Sequence, residues 1–129
     1  MSEAIQAHPS TSSTSAGAVV SKAISRAAQE LGLSNAVLAD ALGLSEATIS
    51  RLGRGTYVLT PGSKAYELAL LVIRLYRSLD AMVGGEGTPM RAWMQNHNLA
   101  LVGVPSDLVR TVTGLVAAVD YVDSARARI

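Results

Sequence analysis

Residues 33–55, LSNAVLADALGLSEATISRLGRG, constrain this chain more than any other stretch. They read as two short helices meeting at a tight turn. Ser34 has the identity of an N-cap, and Val37, Leu38, Ala41 and Leu42 recur at the spacing of one helical face. Gly43 stands where the first helix must end in a left-handed residue, a conformation that glycine adopts without steric cost. Leu44 turns inward, Ser45 caps a second helix, and Ile49 and Leu52 form its buried side. Ala39 is small at the point where two crossing helices come closest. This is the spacing of a helix-turn-helix, whose second helix enters the major groove of DNA.

The same residues resemble a known family. Ala39, Gly43, Ser45, Ile49, Arg51 and Gly55 fall where the phage-repressor-like Xre helix-turn-helix family places them. The resemblance implies a DNA-facing set made of the cap Ser45 and the residues left outside once Ile49 and Leu52 point inward: Glu46, Ala47, Ser50 and Arg51. Arg51 suits a guanine edge, Glu46 a cytosine amino group and Ala47 a thymine methyl. Asn35 at the start of the first helix and Arg54 just past the second suit phosphates. An alanine-rich helical hairpin that touches no DNA would share the apolar spacing but would not require Gly43 and Ser45.

Composition supports closely packed helices. Of 129 residues 49% are hydrophobic, yet there is no Phe and one Trp, so alanine and leucine must fill the core. Without cysteine there is no disulfide framework and no thiolate metal site, which is compatible with a reducing cytoplasm. The net charge of +1 is too small to announce a nucleic-acid binder. Lys22, Arg26, Arg51, Arg54 and Lys64 outnumber Glu30, Asp40 and Glu46 around the helix-turn-helix, whereas acids and bases cancel from residue 65 onward. One copy should bind DNA weakly, so specific binding implies a homodimer.

Taken in order, residues 1–15 are Ser/Thr-rich, aperiodic and free of a signal-peptide pattern, and are expected to be a disordered tail. A first helix is predicted over about 17–31, with Val20, Ile24, Ala27 and Leu31 inward and Gly32 ending it. Residues 16–62 thus form the DNA-binding domain. Pro61 and Gly62 punctuate the chain before Ser63 caps a long helix to about Val83. That helix is apolar on nearly every side at 68–73, and is expected to be both a spine and a dimer surface. Glu67, Arg74, Arg77 and Asp80 rule out a membrane span within it. With the Gly84–Gly87 linker it makes a connecting segment, 63–87. A phosphate-cradling loop is disfavoured there because no lysine follows the glycines.

The remaining residues, 88–129, form a small helical domain. Thr88 and Pro89 open a short helix carrying Trp93 and Met94, and Leu99–Val104 is an apolar connector with nothing to pair with. Pro105 opens another short helix. Thr111 or Thr113 starts the last, with Leu115, Val119 and Val122 buried and Asp120 and Asp123 on its other side. Trp93, then NLALVGVP at 98–105, then Leu108, Arg110-Thr111 and Gly114 resemble the toxin-binding domain of Xre/MbcA/ParS-type antitoxins. Val102 departs from that pattern, which more usually has Gly there, and the family's final glycine-aromatic tail is missing.

Together the two resemblances imply an all-α antitoxin of a RES–Xre toxin–antitoxin pair. Its partners would be a RES-type, NAD-consuming toxin, operator DNA, and a second copy within a higher-order complex, with no cofactor, metal or membrane. The implied toxin-binding residues are Trp93, Arg110, Asp123, Arg126, Arg128 and Ile129. The helix end from Ser124 to Arg128 carries so little apolar surface that it should be free to enter a cleft. No catalytic function is expected: His8 and His97 have no ligand partners nearby and no serine has a plausible base. The alternative is a plain Xre-type repressor whose C-terminal half only dimerises or senses a ligand.

Overall fold

The computed structural model describes residues 2–83 and 87–127, with side chains over 16–83 and 89–127. Seven helices make up the described part: α1 Ser2–Leu31, α2 Asn35–Leu42, α3 Glu46–Arg54, α4 Lys64–Val83, α5 Gly87–Gln95, α6 Pro105–Leu108 and α7 Val112–Ala127. The fold is all-α, and the described residues hold a single isolated bridge, Asn98 with Gly103.

On α1, Val20, Ile24, Ala27 and Leu31 are buried and Lys22, Arg26 and Gln29 exposed, as the period requires. Its backbone is helical back to Ser2, where a disordered tail over 1–15 and a start at residue 17 were expected. Once nucleated, a helix extends at small cost per residue, a property that apolar periodicity does not report. The side chains of that stretch lie outside the described residues.

The segment after α3, expected only to interrupt the pattern, is fastened to α1. Leu59 is buried, and its amide donates to the Ser21 hydroxyl at 2.8 Å in the interior. Gly17 lies so close that a side chain there would run into the Leu59 carbonyl.

Ser63 caps α4 as expected, its hydroxyl accepting from the Tyr66 amide at 3.2 Å. This helix is the spine: α1 and α7 pack most heavily on it, with α2 and α5 also in contact. Leu68, Ala69, Val72, Ile73, Leu75 and Leu79 are buried from several directions. Each large side chain among them stabilises the fold by about 1.5–3 kcal/mol. The apolar girth of α4 is therefore largely covered within one chain, leaving Leu70 exposed and Leu71 half-buried. Of the Gly84–Gly87 linker, residues 84–86 lie outside the described residues, as does the side chain of Thr88.

In the C-terminal half Met90, Met94, Val109, Leu115, Ala118, Val119 and Val122 are buried. Of the two threonines, Thr111 caps α7, its hydroxyl accepting from the Gly114 amide at 3.1 Å. Gly114 sits against the Leu108 carbonyl, and an added Cβ would lie 2.8 Å from the Leu108 carbonyl carbon. Closeness of that order admits no side chain and fixes α6 against the first turn of α7.

Candidate DNA-binding and partner-binding sites

The helix-turn-helix is built by four capping residues. The Ser34 hydroxyl accepts from the Val37 amide at 3.2 Å, starting α2. Gly43 closes it at φ +70°, and the Leu44 amide returns to the Ala39 carbonyl at 2.9 Å. Ser45 then caps α3 by accepting from the Thr48 amide at 3.1 Å, and Gly55 at φ +79° ends it. Ile49 and Leu52 face the core with Ala39 and Leu38. The helix is short, so these caps matter: loss of one costs about 0.5–2 kcal/mol. Glu46 in the first turn and Arg51 and Arg54 in the last also match the helix dipole.

The remaining face of α3 presents the residues expected to meet DNA. Glu46, Ala47, Arg51 and Arg54 are exposed, Ser45 is exposed at the cap, and Ser50 is half-buried. Asn35 is exposed at the start of α2. The Arg51 guanidinium donates to the Thr48 hydroxyl at 3.1 Å, and that hydroxyl shares a 2.9 Å hydrogen bond with Ser45. Arg54 donates to the Ser50 hydroxyl at 2.8 Å. Thr48 escaped the sequence reading, and Lys22 entered it only as a charge. Thr48 orients Arg51, and its signal is only a hydroxyl three residues from each partner. Lys22 of α1 lines a cleft with Ser25, Leu52 and Arg54, adding a second cation beside the end of α3.

The residues proposed for the C-terminal site are not gathered in one place. Trp93 is half-buried against the core. Arg110 donates from Nε to Oδ2 of Asp40, on α2, at 2.8 Å. Asp123, expected with Asp120 on the side of α7 away from its buried stripe, turns toward α4 instead. Its Oδ1 accepts from the Ser78 hydroxyl at 2.6 Å, and its Oδ2 from Nε of Arg74 at 2.8 Å. Arg126 reaches the same Ser78 hydroxyl at 3.4 Å. The Ser78 hydroxyl holds the Asp123 carboxyl below its ordinary pKa; partial burial opposes this, and Arg74 and Arg126 reinforce it. The end of α7 is thus tied to α4 as far as Arg126, which corrects the expectation of a loose helical end from Ser124. Arg128 and Ile129 lie outside the described residues. About 16 Å of α7 separates Asp123 from the Arg110 end.

The segment 98–104, expected to have nothing to pair with, pairs its own ends. The Asn98 amide donates to the Gly103 carbonyl at 2.8 Å, and the Leu101 amide to the Asn98 side chain at 3.0 Å. Among the described residues no helix is long and apolar enough to cross a membrane, and no group of three or more acidic or histidine side chains is placed to hold a metal.

Residues 12–74 match the family model of the antitoxin Xre-like helix-turn-helix domain, and residues 78–128 that of the antitoxin Xre/MbcA/ParS C-terminal toxin-binding domain. The chain belongs to the Xre-type antitoxins. No curated protein sequence matches it. The two matches meet inside α4, so this antitoxin joins its halves through a continuous helix. Arg74 is the last residue of the first match and Ser78 the first of the second, and both hold Asp123.

Proposed function

We propose that the antitoxin neutralises a RES-type, NAD-consuming toxin by covering its active site with the C-terminal domain, and represses its own operon through α3. The observation that carries this reading is the succession of the two family matches in one chain. On the DNA side, support comes from the exposed row Glu46, Ala47, Ser50 and Arg51, with Arg51 pre-oriented by Thr48. Asn35, Arg54 and Lys22 supply phosphate contacts around it.

A modest basic excess makes one copy a weak binder, so the antitoxin acts as a homodimer on two half-sites about 34 Å apart. On the toxin side, the residues beyond the clamp of α7 to α4 enter the cleft, where Arg128 pairs with acidic groups while Arg126 stays on Ser78. Trp93 and Arg110 border the contact. The antitoxin has no catalytic role of its own and acts in the cytoplasm.

Co-expression with a cognate RES-type toxin tests this. A chain ending after Ala127 keeps the clamp of Asp123 and Arg126 on Arg74 and Ser78, and should stay folded and bind operator DNA while failing to restore growth. Full rescue by the shortened chain would contradict the covering of the active site by the C-terminus. Failure of the full-length chain to rescue would favour the plain repressor.

A further inference from the structure

Among the described residues, the most exposed large apolar side chains of the C-terminal half lie on the turn before α6 and on the open side of α7. Leu99 is 87% exposed and Val102 78%, while Val112 and Val116 are 58% and 40% exposed. No charged residue occurs from Asn98 to Ser106. Single exposed hydrophobics are ordinary, but these have a built support. The turn is closed by the Asn98–Gly103 pair and by the Asn98 side chain. Gly103 rests on Leu108, where an added Cβ would lie 3.1 Å from a terminal methyl. Leu108 also abuts Gly114, so the turn and the α7 turn that carries Val112 sit against the same short α6.

Val102 adds an independent observation. Its φ is +57°, the only positive value at a non-glycine among the described residues. A β-branched side chain is strained in that region. Its exposure means that packing inside the chain returns little for the strain. Strain kept without internal compensation is characteristic of residues held ready for a partner.

We propose that Leu99 and Val102, flanked by Val112 and Val116, are the apolar anchor on which the toxin protein docks. The proposal rests on the reading of residues 78–128 as a toxin-binding domain. The complementary surface of the toxin is an uncharged apolar hollow, in keeping with the charge-depleted centre of protein interfaces. Arg110, already matched to Asp40 inside the chain, does not form its centre.

The test is calorimetric titration of full-length antitoxin with a purified cognate RES-type toxin, comparing wild type with a Leu99→Asp, Val102→Asp double variant. Asp tolerates the left-handed conformation, so thermal melting and operator binding should be unchanged while toxin affinity falls by about tenfold or more. Val102→Asn, alone and with Leu99→Ser, gives the same reading should the double acid unfold. Unchanged affinity overturns the anchor while leaving the toxin-binding domain standing. Absence of binding by the wild type overturns the toxin reading and the anchor together. A variant that turns from dimer to monomer with its toxin affinity intact marks the surface as a contact between antitoxin copies, which also overturns the proposal.

Discussion

Arginines on α3 and arginines in the C-terminal half are used in opposite ways. Arg51 and Arg54 touch hydroxyls three and four residues away on their own helix. Arg110, Arg74 and Arg126 meet Asp40, Asp123 and Ser78, which lie 70, 49 and 48 positions distant. A local contact can be exchanged for a phosphate or a base edge without disturbing the fold. A long-range contact joins elements, and giving it up loosens them. The arginines of α3 are therefore ready for a ligand, and those of the second half are first of all structural.

The widest separation should appear on α4. Leu75 is fully buried between the halves and Leu70 is 44% exposed. Leu75→Glu buries an unpaired charge and should cost more than about 4 kcal/mol in urea melts, whereas Leu70→Glu should stay within about 0.5 kcal/mol. A dimer dissociated by Leu70→Glu would show that α4 serves two interfaces, one of them between copies.

Arg51→Ala should cost about 1–3 kcal/mol at the cognate operator and relax base preference there, with melting unchanged. Arg54→Ala should weaken all sequences alike and lower the salt slope by about 1. Gel shifts over a salt series separate the two. Equal effects on specific and random DNA from Arg51→Ala would remove it from the base-reading set.

In the second half the same kind of change should act on folding. Asp123→Asn should destabilise by about 1 kcal/mol at neutral pH, a value kept small because Arg74 is 65% exposed. The folded carboxyl titrates below its unfolded value, so its contribution is present above about pH 4 and is lost as pH falls through the folded pKa. The melting difference between wild type and Asp123→Asn should accordingly vanish in acid. A difference that did not change with pH would mean that Asp123 acts by packing and not by charge. Smaller still, a double-mutant cycle of Arg110→Ala with Asp40→Ala should give about 0.2–1 kcal/mol of coupling in stability. Zero coupling would free Arg110 for a direct role at the toxin.

What was legible in the sequence divides along the same line. Ser34, Gly43, Ser45 and Ser63 act on neighbours within five residues, so their identities alone announce caps and turns. Ile49, Leu52, Leu115 and Val119 follow the helical period and were placed correctly. The Arg110–Asp40 pair and the Asp123 clamp depend on how α2, α4 and α7 pack, which no local pattern encodes. Asp123 was therefore expected on the outer side of α7 and at the toxin, and the end of α7 was judged free. Val102 was conspicuous in the sequence as a valine where the family usually has glycine, but its strain became visible only with the backbone. Periodicity likewise gave no reason to carry α1 back to Ser2.

The central claim is that DNA reading and toxin binding reside on different residues of one packed chain. Operator affinity and toxin affinity measured on the same preparations of Arg51→Ala and of Leu99→Asp, Val102→Asp test it most directly. The account predicts a crossover: the first variant loses about tenfold or more in operator affinity and keeps the toxin, and the second does the reverse. Loss of both affinities in either folded variant would contradict it.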